Sequence, residues 1–140
     1  MSTWLLLTYT LPAEPSALRV KIWRKLKRMG ALLLQDALWV LPARAATREQ
    51  YQWLAAEIAE MGGQALYWEA QLVMGMTEEA LIGQLQKPVN KGYQDLLQQI
   101  ESQTDDLESI ARQYQQLLAK DYFRSELGQR VRQAILEARG

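Results

Sequence analysis

The sequence predicts an α+β fold, a βαββαβ domain over residues 1–74 followed by a helical C-terminal extension over residues 75–140. Three observations carry that expectation. Short apolar runs bounded by proline, glycine or turn residues alternate with stretches of helical period through the first seventy residues. Their order is strand, helix, strand, strand, helix, strand. Beyond residue 75 the strand-like runs stop and only helical spacing continues.

Thr3 to Thr10 is rich in β-branched and aromatic residues and reads as a strand buried on both faces, with Pro12 and Pro15 marking its exit. From Ser16 to Met29 the period changes: Leu18, Ile22, Leu26 and Met29 share one arc of a helix, and Gly30 supplies its stop. Ala31 to Leu34 and Leu38 to Leu41 are short apolar runs around Gln35-Asp36-Ala37, a β-hairpin pattern closed by Pro42. Thr47 opens a second helix to Met61, with Tyr51, Leu54, Ala55 and Ile58 as its apolar stripe and Gly62-Gly63 at its end. Ala65 to Val73 is the last strand. This order is that of ferredoxin-like domains, an antiparallel sheet carrying two helices on one face.

The extension opens with a short helix expected from Thr77 to about Leu85, broken at Pro88-Val89-Asn90. Tyr93, Leu97, Ile100, Thr104, Leu107, Ala111, Tyr114 and Leu118 then keep a 3/4 spacing, with Leu96, Ile110 and Leu117 beside it. Ser102 to Asp106 interrupts this seam, which favours two helices folded on each other over one continuous zipper. A last helix follows Asp121-Tyr122-Phe123, with Leu127, Val131 and Ile135 inward.

Absences narrow the chemistry. The 140 residues contain no cysteine and no histidine, so disulfides, thiolate nucleophiles, imidazole bases and the usual zinc ligands are excluded. The longest early apolar run, Trp4 to Leu7, is too short for a membrane span or a signal-peptide core, and a cytoplasmic protein is expected.

The net charge of zero hides an asymmetry. Residues 1–44 hold Arg19, Lys21, Arg24, Lys25, Lys27, Arg28 and Arg44 against Glu14 and Asp36, whereas residues 45–105 hold three basic and nine acidic side chains. In helical projection Lys21, Arg24 and Arg28 lie opposite the apolar arc of the first helix, with Lys25 and Lys27 at the edges. Such a face suits phosphate or another oxyanion, because guanidinium groups donate in pairs and duplex DNA rewards clustered cations through counterion release. A solvated helix face balanced by the acidic middle segment is the competing reading. Trp23, Trp39, Trp53 and Trp68 are expected in the core or at a dimer interface rather than stacked on bases. Glu78-Glu79 and Asp105-Asp106 read as helix-start residues rather than a cation site.

The stretches Trp4 to Ser16 (WLLLTYTLPAEPS), Trp23 to Gly30 (WRKLKRMG) and Leu34 to Pro42 (LQDALWVLP) resemble the N-terminal family of ChrB chromate-resistance regulators. The segment Leu118 to Phe123 (LAKDYF) is similar to one late in that domain. The later part of the pattern is also similar to the central domain of PaaX-type repressors, and both resemble small ferredoxin-like nucleases of CRISPR spacer acquisition.

The ChrB resemblance implies a transcriptional regulator that senses chromate or a similar oxyanion and acts on promoter DNA, and it tips the basic set read from the charge pattern, Arg19, Lys21, Arg24, Lys25, Lys27, Arg28 and Arg44, towards DNA or anion contact. The residues suggest no cofactor and no metal, analogy with the family suggests a homodimer as working unit, and what the family's usual second, C-terminal domain contributes is expected to be missing here or supplied by another polypeptide. Ala37 stands where the family has glycine, so the hairpin turn is expected to differ in geometry. The nuclease relatives carry a metal-holding aspartate after the tyrosine that ends the first strand. Here Tyr9 is followed by Thr10, which cannot replace a carboxylate, so neither nuclease activity nor chromate reduction is expected. A protein-interaction domain without DNA contact is the alternative, and a metal-dependent nuclease the weaker one.

Overall fold

A computed structural model describes residues 2–103 and 106–140. Thr104 of the seam and Asp105 of the second acidic pair lie outside the described residues. The chain divides into two compact units, one ending at Glu78 and the other running from Glu79 to Gly140.

The first unit is a four-stranded antiparallel sheet with two helices, in the predicted order: β1 (Trp4–Thr10), α1 (Ala17–Met29), β2 (Leu32–Leu34), β3 (Leu38–Pro42), α2 (Ala45–Glu60) and β4 (Gln64–Ala70). The strands lie in the order β2-β3-β1-β4, the ferredoxin-like arrangement. β1 is central: Trp4 pairs with Pro42 on one side and Ala70 on the other, and Leu7 with Trp39 and Tyr67. That register puts Leu5, Leu7, Trp39, Leu41 and Tyr67 on one face of the sheet. Tyr51 of α2 packs edge-on against Tyr67 and donates its hydroxyl to the Trp39 carbonyl at 2.8 Å, which identifies this as the helix-bearing face. Ile22 and Leu26 from α1, and Leu54 and Ile58 from α2, complete the buried set.

The structure corrects some boundaries. α2 starts at Ala45, two residues before Thr47. Thr47 sits in the first turn, where its hydroxyl donates to the Pro42 carbonyl (2.6 Å) and accepts from the Arg44 N–H (2.9 Å). β4 ends at Ala70, short of Val73. In the hairpin the positive φ angles fall on Gln35 (53°) and Asp36 (58°), not on Ala37, whose N–H bonds back to the Leu34 carbonyl at 3.2 Å. The turn thus takes its left-handed residues one position earlier, and alanine fits at 37 without strain.

Three of the four tryptophans expected in the core are outside it. Trp39 is 5% exposed, but Trp23, Trp53 and Trp68 are 48%, 68% and 52% exposed. Trp23 projects beside the Ile22–Leu26 arc rather than on it, and Trp68 alternates with Tyr67 to the other face of the sheet.

The second unit is helical: α3 (Glu78–Ser102, its first residue belonging to the first unit), α4 (Leu107–Leu118) and α5 (Glu126–Arg139). The break expected at Pro88 is absent, and α3 runs through it. Pro88 and Gln84 both lie on the exposed side, so the carbonyl that loses its donor can be hydrated, while Leu85, Val89, Tyr93 and Leu96 continue one buried stripe. The seam does divide into two helices. Val89, Tyr93 and Leu96 of α3 pack with Ile110 and Tyr114 of α4 and Val131 and Ile135 of α5. Gly128 permits the approach of α5, since a Cβ there would stand 3.0 Å from the Tyr93 ring. Asp106 caps α4 by accepting from the Ser109 N–H at 2.6 Å, and Glu78 is the first residue of α3, so both act at helix starts.

Candidate functional site

The basic residues of α1 are displayed by a helix whose other side is fixed by Ile22 and Leu26, both fully buried. Lys27 and Arg28 in its last turn suit the negative end of the helix dipole, and Gly30 closes it with a left-handed φ of 81°. The exposed side is not one uniform face.

One flank meets α2. Lys25 Nζ donates to Glu57 Oε2 at 2.8 Å, and Lys21 Nζ stands 3.3 Å from the same carboxylate. The Lys25 hydrogen bond, with help from Lys21, holds the Glu57 carboxyl below its ordinary pKa against the opposing effect of burial. Two of the predicted contact residues therefore share a single carboxylate, which offsets one of their two charges.

The remaining arginines of α1 are spread around its exposed side, Arg28 beside the Lys21–Lys25 row, Arg24 at the outer crest and Arg19 on the Trp23 side. Arg19, Arg24 and Arg28 are exposed and make no ion pair with a described carboxylate. Arg24 and Arg28 border a hollow of about 510 Å³ along the helix, shared with Val20 and the stems of Lys21 and Lys25. Lys27 places its ammonium 5.5 Å from the centre of the Trp23 ring, a cation–π contact.

Arg24 also borders a second and larger space. Where β1 ends and α1 begins, a groove of about 850 Å³ is walled by Arg19, Val20, Trp23 and Arg24 from α1. Its remaining lining comes from Tyr9, Thr10 and Leu11 at the end of β1 and from Asp36 in the β2–β3 turn. The topology explains the meeting. The hairpin tip and the start of α1 both lie at the end of the sheet where β1 finishes. Burial raises the pKa of the Tyr9 phenol, partly offset by the Trp39 indole N–H donated to it and by the positive charge of Arg19, so the hydroxyl keeps its proton at neutral pH.

Arg44 is elsewhere. It precedes α2 beyond Pro42, which pairs with Trp4 at the start of β1, the opposite end of the sheet from Tyr9. Five residues of strand separate the two ends, about 17 Å. The seven predicted contact residues thus divide into Lys21 and Lys25, which share Glu57, Arg28 beside them on the same side of α1, Arg24 at the outer crest, Arg19 and Lys27 on the Trp23 side, and Arg44 apart. Sequence reasoning missed Tyr9, Val20, Trp23 and Asp36 as lining residues. The signal for Trp23 was its position four residues from both Arg19 and Lys27, off the apolar arc.

The site offers guanidinium donors and an exposed indole. No group of three or more carboxylate side chains placed to hold a metal ion occurs among the described residues. None of the described helices is long and apolar enough to cross a membrane.

The family model described as "Protein ChrB, N-terminal" matches residues 19–120, well over half of the chain. The chain is also 37% identical over 62 residues to Protein ChrB of Cupriavidus metallidurans (strain ATCC 43123 / DSM 2839 / NBRC 102507 / CH34). That stretch is 44% of this chain and 19% of the relative.

Proposed function

The chain belongs to the ChrB N-terminal family, and we propose on that premise that it is a regulatory module of a chromate-resistance system, binding promoter DNA, chromate or a similar oxyanion through the exposed arginines Arg24 and Arg28 of α1. The observation that carries this reading is the division of the basic face. Lys21 and Lys25 share the Glu57 carboxylate, while Arg24 and Arg28 stand exposed and make no ion pair with a described carboxylate. Unpaired guanidinium groups on a rigid helix favour phosphate and tetrahedral oxyanions, which they meet with two parallel N–H donors.

A regulatory rather than catalytic role agrees with the groove's lining, in which Asp36 is a single carboxylate and Thr10 a hydroxyl, a poor set for a hard cation. The working unit in this proposal is a cytoplasmic homodimer, and a ChrB-type C-terminal domain is its natural partner.

Fluorescence anisotropy of the promoter duplex, with and without chromate, tests the proposal. Arg24→Glu with Arg28→Glu is expected to weaken duplex or chromate binding at least about tenfold, since each lost charge-assisted contact is worth about 1–3 kcal/mol. Unchanged affinity for both ligands would remove α1 as the contact surface. A second reading, a protein-interaction domain without DNA contact, is favoured by the exposed apolar side chains Leu66, Trp68, Val73 and Met74. Salt-insensitive binding to a ChrB-type C-terminal domain would support it.

A further inference from the structure

The groove at the end of β1 contains more than an anion site needs. An oxyanion such as chromate or phosphate is satisfied by two guanidinium groups, yet here those of Arg19 and Arg24 share about 850 Å³ with a half-exposed tryptophan. That volume is in the range of pockets that enclose a small organic molecule and far exceeds one tetrahedral anion. Trp23 lines the groove, whereas Lys27, whose ammonium sits 5.5 Å from the ring centre, is not among the lining residues. The ring keeps about half of its surface exposed beside that contact. The spacing Arg19, Trp23, Lys27 stacks these three side chains along one line of the helix, four residues apart. Across from them, the Tyr9 hydroxyl, which accepts from the Trp39 indole, retains its own proton to donate. The Asp36 carboxylate can accept from an exocyclic amine.

We infer that this groove binds a nucleotide, its base stacked on Trp23 and its sugar-borne phosphate held by Arg19 and Arg24. An aromatic platform bordered by guanidinium groups is the arrangement by which single-stranded nucleic acids and nucleotides are held, because every base has a π-face and carries a phosphate within a few ångströms. The source is either a free nucleotide or an unpaired base of a nucleic-acid strand, and the two share this chemistry. The inference builds on the anion-binding reading of Arg24 but adds a ligand class that a basic helix alone does not specify.

Calorimetric titration of the full chain with 5′-AMP, adenosine, inorganic phosphate, a short oligo(dA) strand and a blunt duplex tests it. The expected result is that 5′-AMP binds at least about tenfold tighter than either adenosine or phosphate, and that Trp23→Ala removes about tenfold or more of that affinity, the loss of one base–aromatic stack. Trp23→Phe, which keeps a π-face, should retain most of it. Tighter binding of the oligo(dA) strand than of 5′-AMP would assign the source to a strand, and equal binding to a free nucleotide. The inference is overturned if 5′-AMP binds no better than inorganic phosphate, or if Trp23→Ala binds it as well as the parent. Duplex binding that Arg28→Glu abolishes, in a protein that ignores 5′-AMP, would sink this inference and leave the proposed function standing. Binding of 5′-AMP in a protein that ignores duplex and chromate would do the reverse.

Discussion

In the sheet unit the buried Thr47 and Tyr51 hydroxyls bond to backbone groups, whereas in the helical unit the buried Gln86, Asp121 and Tyr93 hydroxyl bond to one another. Asp121 accepts from Gln86 Nε2 at 2.7 Å, from the Tyr93 hydroxyl at 3.0 Å and from the Ser125 N–H at 3.0 Å. It stands in the turn between α4 and α5, so one carboxylate ties that turn to two positions of α3 a heptad apart. Burial, with the adjacent carboxylate, pushes the Tyr93 phenol far above its usual range and keeps it a donor. The sheet unit needs no such node, because its strand ladders already fix the register of every buried residue. Three helices joined by short turns can slide on an apolar core, and a buried polar cluster that is satisfied in only one arrangement selects it.

The contrast can be broken from either side. The largest effect is expected at the node: Asp121→Ala leaves Gln86, Tyr93 and the Ser125 N–H without their acceptor, at a cost of about 3 kcal/mol. Urea denaturation should show that loss, and hydrogen exchange should place it in residues 79–140. Asp121→Asn, which keeps an acceptor, should recover part of it. A loss below about 1 kcal/mol would show that packing alone sets the helical arrangement.

The sheet unit should instead be most sensitive to backbone crowding. A Cβ on Gly63 would lie 2.3 Å from the Thr10 carbonyl oxygen and 3.0 Å from Ile58, where the end of α2 enters β4 beside β1. Gly63→Ala is expected to cost about 2 kcal/mol in the same denaturation experiment. A neutral result would mean that the β1–β4 end yields more easily than its register implies.

The smallest effect concerns the paired flank. Because the folded-state pKa of Glu57 is lowered, the stability it contributes is present above the ordinary carboxylate range and disappears as pH falls through the folded value. The partners are partly exposed, so the gain is screened to about 0.5 kcal/mol. Glu57→Gln should therefore be slightly less stable than the parent at pH 7 and equal to it at pH 3, by thermal melts at both.

The sheet order was legible because each strand announced itself by composition and every connection except the Gln35-Asp36-Ala37 turn by proline or glycine. α3 was not, because a proline ordinarily ends a helix, and only the three-dimensional position of Pro88 on the exposed side makes it tolerable. The basic helix was legible as a stripe of charge. Its division was not: Glu57 is 32 residues from Lys25 and sits on a different element, so no local pattern could reveal that it neutralises half of one edge. Trp23 was misplaced for a related reason. A tryptophan beside an apolar arc reads as core until the neighbouring elements are seen to leave its side of the helix open. The groove it lines joins β1, α1 and a hairpin turn that chain order alone does not bring together.

The division of the basic face is the centre of this account, and the salt dependence of duplex binding tests it most directly. Log affinity against log salt should be measured for the parent, for Arg24→Gln with Arg28→Gln, and for Lys21→Gln with Lys25→Gln. Each lost phosphate contact flattens the slope by about 0.9, so the arginine pair should remove about 1.8 and the lysine pair little. A lysine pair that flattens the slope as much as the arginine pair, or an arginine pair that leaves it unchanged, would contradict the assignment.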